Sequence, residues 1–251
     1  MDKFSRRKFV ATIGAATVAP ASALLKAAPA EAVAPQQMAQ RGSATLPAKP
    51  LYLFFNLAEA AFIESACERL IPADESGPGA LGAGVPNYLD KQLGGAWGSG
   101  ERLYRSGPWQ SGSPSQGYQL PFTPAELFHV ALRAVNRNFE SQGAAFGTLS
   151  AEAQDAYLKT LEAGGVDLDG VPSAVFFDML LRMSIEGFFS DPVYGGNRDM
   201  VAWRMIGFPG AYADYYEAID RHGEKFAREP MSIGEDARRH VHIDPNIPAS
   251  L

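Results

Sequence analysis

Apolar residues recur at three- and four-residue intervals in four stretches of this chain, and each stretch carries its own start or stop signal. Asn56, with Glu59 three residues on, forms a capping box, and Phe62, Ile63, Ala66, Cys67 and Leu70 then line one helical face until Pro72. Thr123-Pro124-Ala125-Glu126 forms a second box with proline at the first helical position. Leu127, Val130, Ala131, Ala134 and Val135 supply its apolar face. Ser150 is placed to cap a third helix with Ala153, Tyr157, Leu158 and Leu161 on one side, which Gly164-Gly165 ends. Pro172 opens the most apolar helix, Ser173–Phe189, which carries Val175, Phe176, Phe177, Leu180, Leu181, Ile185 and Phe188 and is expected to be central. No run alternates with period two, and no strands alternate with helices as a nucleotide-binding sheet requires. The predicted class is all-α: a single irregular helical domain with long loops over 51–228. An Ala/Pro/Gln-rich extended arm at 31–50 precedes it, and a tail at 229–251 follows.

Composition agrees with a chain able to bury a core: 46% of the 251 residues are hydrophobic and 20% charged, which excludes disorder as the main state. Gly 25 and Pro 18 leave room for turns and loops between the helices. One cysteine excludes an internal disulfide framework and a cysteine-based metal or cluster site. Cys67 itself falls on an apolar stripe and reads as a buried, inert thiol. No stretch reaches about 18 uninterrupted apolar residues, so no permanent membrane span is expected.

The first thirty residues read as an address. Ser5-Arg6-Arg7-Lys8-Phe9-Val10 is a twin-arginine sequence followed by a mildly apolar run over 10–25, in the order of a signal peptide. Small-x-small cleavage candidates are Ala28-Pro29-Ala30 and Ala30-Glu31-Ala32, with cleavage expected near Ala30. This segment holds five cations and one acid, so 17 cations and 27 acids remain beyond it, a formal charge of −10. An acidic mature chain argues against nucleic acid as a partner, because neutralising phosphate needs clustered Lys and Arg.

Three constellations invite a functional reading. Gly77-Pro78-Gly79-Ala80-Leu81-Gly82 matches the three-glycine dinucleotide pattern in its letters, but a helix precedes it and Pro78 lies inside it, so it reads as a tight surface turn between helices. His240-Val241-His242 is a weak metal signal better read as solvated tail, while His129 and His222 read as helix positions with partly buried, satisfied imidazoles. The chain has no haem-attaching Cys-x-x-Cys-His, no nucleophile elbow and no His-Glu-x-x-His. The third constellation runs from Asp191-Pro192-Val193-Tyr194-Gly195-Gly196-Asn197 through Trp203 to Phe208-Pro209-Gly210. Its paired glycines permit backbone angles closed to other residues, and Tyr194, Trp203 and Phe208 offer rigid surfaces with polar edges. Such a block is either an interface anchor or ligand rim, or a loop folded back on its own helices.

The twin-arginine leader, Leu70-Ile71-Pro72-Ala73-Asp74, the Gly/Pro turn with the following 85–90 segment, and above all the 191–210 block resemble the gluconate 2-dehydrogenase subunit 3 family over about 57–226. The resemblance implies a non-catalytic small subunit of a periplasm-facing complex. In such a complex a large flavoprotein binds FAD and oxidises a sugar, sugar acid or polyol, and a c-type cytochrome subunit with haem c passes the electrons to quinone. It further implies that the small subunit assists maturation of the flavoprotein and its export by the twin-arginine machinery, with no cofactor in this chain. The rival class is a stand-alone exported enzyme or ligand-binding protein with a pocket near Tyr194 and Trp203.

Overall fold

The structure, a computed structural model, describes residues 51–110, 112–116, 118–212, 219–224 and 228–234. The leader with Arg6 and Arg7, the arm, and His240 and His242 lie outside them. Six α-helices carry the described residues: α1 (Leu57–Leu70), α2 (Val85–Leu93), α3 (Pro124–Ser141), α4 (Ala151–Glu162), α5 (Ser173–Phe189) and α6 (Val201–Ile206). Strands β1 (Asp167–Leu168) and β2 (Val171–Pro172) pair antiparallel between α4 and α5. The all-α class holds, with this hairpin as its one departure among the described residues. Two residues per strand are too few to show alternation, and the ladder rests on a turn in which Asp169 and Gly170 both take positive φ.

Both capping boxes form as their residue spacing requires. Asn56 Oδ1 accepts from the Ala58 and Glu59 amides while Glu59 returns a carboxylate to the Asn56 amide. Thr123 and Glu126 do the same for α3. The α1 stripe then buries Phe62, Ile63, Ala66 and Cys67. Cys67 Sγ lies 3.5 Å from Ser184 Oγ, and burial pushes the thiol up to about 12. In α4 the buried face differs by one position from the expected one. Ala153 is exposed and Gln154 is buried instead, because its amide donates to Phe146 O at 3.1 Å.

Helix α5 packs on α1, α2, α3 and α4, which makes it central as expected. Phe176 is fully buried and meets Phe128 edge-on at 5.2 Å and Phe62 at 6.3 Å. A second aromatic cluster joins Phe139 of α3, Phe146 and Tyr157 of α4, and Phe146 lies 4.7 Å from Phe62 of α1. Ile185, expected on the apolar face, is 43% exposed, since a helix apolar on most sides cannot bury all of them. Two acids fix the connections. Asp90 accepts from the Leu53, Phe54 and Phe55 amides and so ties the chain entering α1 to α2. Glu68 accepts from the Ala73 and Leu81 amides, bracketing the Gly-Pro turn. That turn joins two helices, as expected, but it is not a surface feature throughout, for Ala80 and Ala83 are fully buried. His129 is the partly buried imidazole expected of it, with Nδ1 2.9 Å from Glu59 Oε1 and its ring stacked on Phe54. His222 is not; it sits exposed in a turn rather than on a helix.

Candidate functional site

The 191–210 block begins where α5 ends. Asp191 accepts from the Val193 amide and starts a short 3-10 turn, Pro192–Tyr194, with Pro192 buried at its first position. The same carboxylate accepts from Ser232 Oγ at 2.5 Å and from the Ile233 amide at 2.9 Å, so one acid also clasps a piece of the C-terminal segment. Gly195 follows at φ +97°, a region that favours glycine, and its carbonyl accepts from Asn87 of α2. Gly196 lies so close to the Gly187 carbonyl of α5 that a Cβ there would collide with backbone. Both glycines are therefore required by close approach to α2 and α5.

Asn197 is fully buried in the left-handed conformation, with φ +44°. Its amide donates to Ser190 O at 2.8 Å and accepts from the Ala202 amide at 2.9 Å, closing the loop on both sides. Asp199 and Met200 also take positive φ, and the Arg198 amide bonds back to Ala83 O. Backbone of this kind persists only where neighbours over-determine it, and Asn197 with its two bonds does so here. Trp203 on α6 is 6% exposed, donates its indole N–H to Phe189 O at 2.8 Å, and meets Phe208 edge-on at 5.1 Å. Gly210 pairs with Met231, and the Ala211 amide donates to Met231 O while the Met231 amide donates to Pro209 O.

The block's aromatic residues thus divide. Trp203 folds back on the end of α5, whereas Tyr194 and Phe208 are 49% and 45% exposed. A pocket shared by Tyr194 and Trp203 would need both rings to face one space, and Trp203 spends its N–H and nearly all its surface inside the domain. The polar side chains of Asp191, Asn197 and Trp203 are likewise taken up by this chain's own groups.

A cleft of about 840 Å³ opens elsewhere, between the loop that runs from Trp97 to Pro121 and the outer face of α5. Trp97, Trp109 and Tyr118 line it together with Met179, and Asp178, Arg182 and Glu186 bring charge to it. Arg182 pairs with Asp178 at 3.0 Å. Glu186 lies 3.5 Å from the Tyr88 hydroxyl, which burial first and Glu186 second push up to about 12. None of these residues stands out as a chemical motif. The one signal in the sequence is the four-residue spacing of Asp178, Arg182 and Glu186, which puts a polar stripe along the most apolar helix.

Among the described residues no group of three or more His, Cys, Asp or Glu is placed to hold a metal ion, and no helix is long and apolar enough to cross a membrane. Fold and site together define a small all-helical domain whose most constrained feature is a loop locked by backbone contacts rather than a row of reactive groups. The family model of gluconate 2-dehydrogenase subunit 3 matches residues 57–210, and the chain belongs to that family. The matched region ends at Gly210, the last residue of the block. No curated protein and no solved structure matches the chain.

Proposed function

We propose that this chain is the small, non-catalytic subunit of a periplasmic, FAD-dependent dehydrogenase complex that oxidises gluconate or a related sugar or polyol. In this reading it escorts a large FAD-binding subunit through maturation and twin-arginine export, using the leader with Arg6 and Arg7 for both chains. A c-type cytochrome subunit carrying haem c completes the complex and holds it at the inner membrane. The observation that carries the reading is the family match over 57–210, which covers the helical core and the whole locked block. The block supports it in a second way. The polar groups of Asn197 and Trp203 are spent on backbone of the block and of the end of α5, and a loop built like that presents surface rather than chemistry.

Export tests the proposal. Replacing Arg6 and Arg7 together by Lys removes the guanidinium pair that the translocation receptor reads while keeping the charge. Flavoprotein activity in the periplasm is expected to fall to background, with the large subunit retained in the cytoplasm. Unchanged periplasmic flavoprotein would overturn the escort role.

A further inference from the structure

We propose that the cleft between the 97–121 loop and α5 is the surface on which the larger dehydrogenase subunit docks, by inserting a cationic, arginine- or lysine-bearing protrusion. The inference rests on the subunit reading above and gives that reading a location and a chemistry. Trp97 and Trp109 remain 39% and 37% exposed although the third tryptophan is buried. Indoles held part-open in a cleft are the side chains that dominate interface energetics when a partner covers them.

The charges say what kind of partner fits. Two carboxylates, Asp178 and Glu186, share the cleft with one guanidinium, Arg182, which is already paired with Asp178. Glu186 has only the long 3.5 Å approach of the Tyr88 hydroxyl among the described residues. Aromatic faces attract a guanidinium or ammonium through the ring quadrupole, and an adjacent carboxylate adds a charge-assisted hydrogen bond. The chain beyond residue 30 carries a formal −10, so a basic partner surface is also favoured at longer range. The surface continues towards the locked block, because Tyr88 approaches Glu186 while its neighbour Asn87 donates to Gly195 O.

Full-length chain is co-expressed with its flavoprotein and co-purified as parent, as the Trp97→Ala/Trp109→Ala pair and as Glu186→Lys. Both variants are expected to melt like the parent and to bind the flavoprotein on the order of tenfold or more weakly. Raised salt is expected to weaken the parent and to change the Glu186→Lys variant less. Hydrogen exchange of segment 97–121 in the parent, free and in the complex, keeps the test independent of variant folding, and protection on binding is expected. Equal co-purification of parent and variants, or no protection, overturns this inference alone. Failure of the parent itself to co-purify overturns the subunit reading, and this inference with it.

Discussion

In the helical core, position is set by many apolar contacts that could be exchanged for others of similar shape. In the 191–210 block it is set by a few contacts that cannot. The core buries Phe62, Leu127, Phe128, Phe176 and Leu180 on stripes whose period dictates the helix. The block has no such period. It is seated by Asp191, by Gly196 pressed on the α5 backbone, by Gly195 at positive φ against α2 side chains, and by one buried amide, Asn197, with a bond on each side. The difference teaches that a loop can be as fixed as a helix while leaving its outward side chains, Tyr194 and Phe208, free for another use.

The largest expected effect is in the core. Phe176→Ala removes a fully buried ring that touches both Phe62 and Phe128, and should cost about 3–5 kcal/mol in denaturant unfolding. A loss below about 1 kcal/mol would mean that the core can re-close around the hole.

Next comes the division inside the block. Trp203→Ala should cost about 3 kcal/mol, because it empties a buried site and leaves Phe189 O without its donor. Tyr194→Ala, at an exposed position, should change stability by less than about 0.5 kcal/mol yet weaken co-purification with the flavoprotein. Equal melting losses for the two would erase the distinction between inward and outward aromatic residues.

Asn197→Ala should cost about 2 kcal/mol, since it takes the partner from a buried amide, Ala202, and from a part-buried carbonyl, Ser190. Asn197→Asp should also destabilise, because a carboxylate cannot donate to Ser190 O. If either variant melts like the parent, the loop is held by something other than this amide.

A further small effect is electrostatic. Arg69 binds Asp155 through two hydrogen bonds of 2.7 and 2.8 Å, joining α1 to α4, and this holds the Asp155 carboxyl below the usual carboxylate range. A carboxyl lowered on folding stabilises above its unfolded value and loses that contribution as pH falls through its folded one. The pair is partly exposed, so Asp155→Asn should cost under about 1 kcal/mol near pH 7, and that penalty should shrink in acid as pH falls through the lowered value of the parent carboxyl. Melting near neutrality and in acid checks this. A penalty that persists in acid would point to packing rather than charge.

Where a local rule governs, the fold could be read in the residues. The starts of α1, α3 and α4 follow from Asn56, Thr123 and Ser150 because a cap needs only residues three apart, and that of α5 follows from Pro172, whose fixed φ marks the entry without a side-chain cap. Helix α2 was not legible in the same way. It starts at Gly84 in a left-handed conformation with no side-chain cap, and nine residues give too few turns to show a stripe. Asp90 could not be assigned from sequence at all, since the amides it caps lie some 35 residues earlier. The block was legible as something unusual through Gly195, Gly196 and Asn197, but not the direction of its rings. Whether Trp203 points in or out depends on where Phe189 O ends up, which no spacing encodes. The cleft was invisible for a related reason. Trp97 and Trp109 share a cleft with Asp178 and Glu186 only through the path of a long loop.

The most direct measurement is size-exclusion chromatography with light scattering on this chain co-expressed with an FAD-binding dehydrogenase subunit, set beside the chain purified alone. The expected result is one species of defined stoichiometry that carries flavin absorbance, while the chain alone is a colourless monomer that oxidises no sugar acid. A chain that elutes apart from the flavoprotein, or that alone retains stoichiometric flavin or turns over gluconate, would contradict its assignment as a non-catalytic subunit.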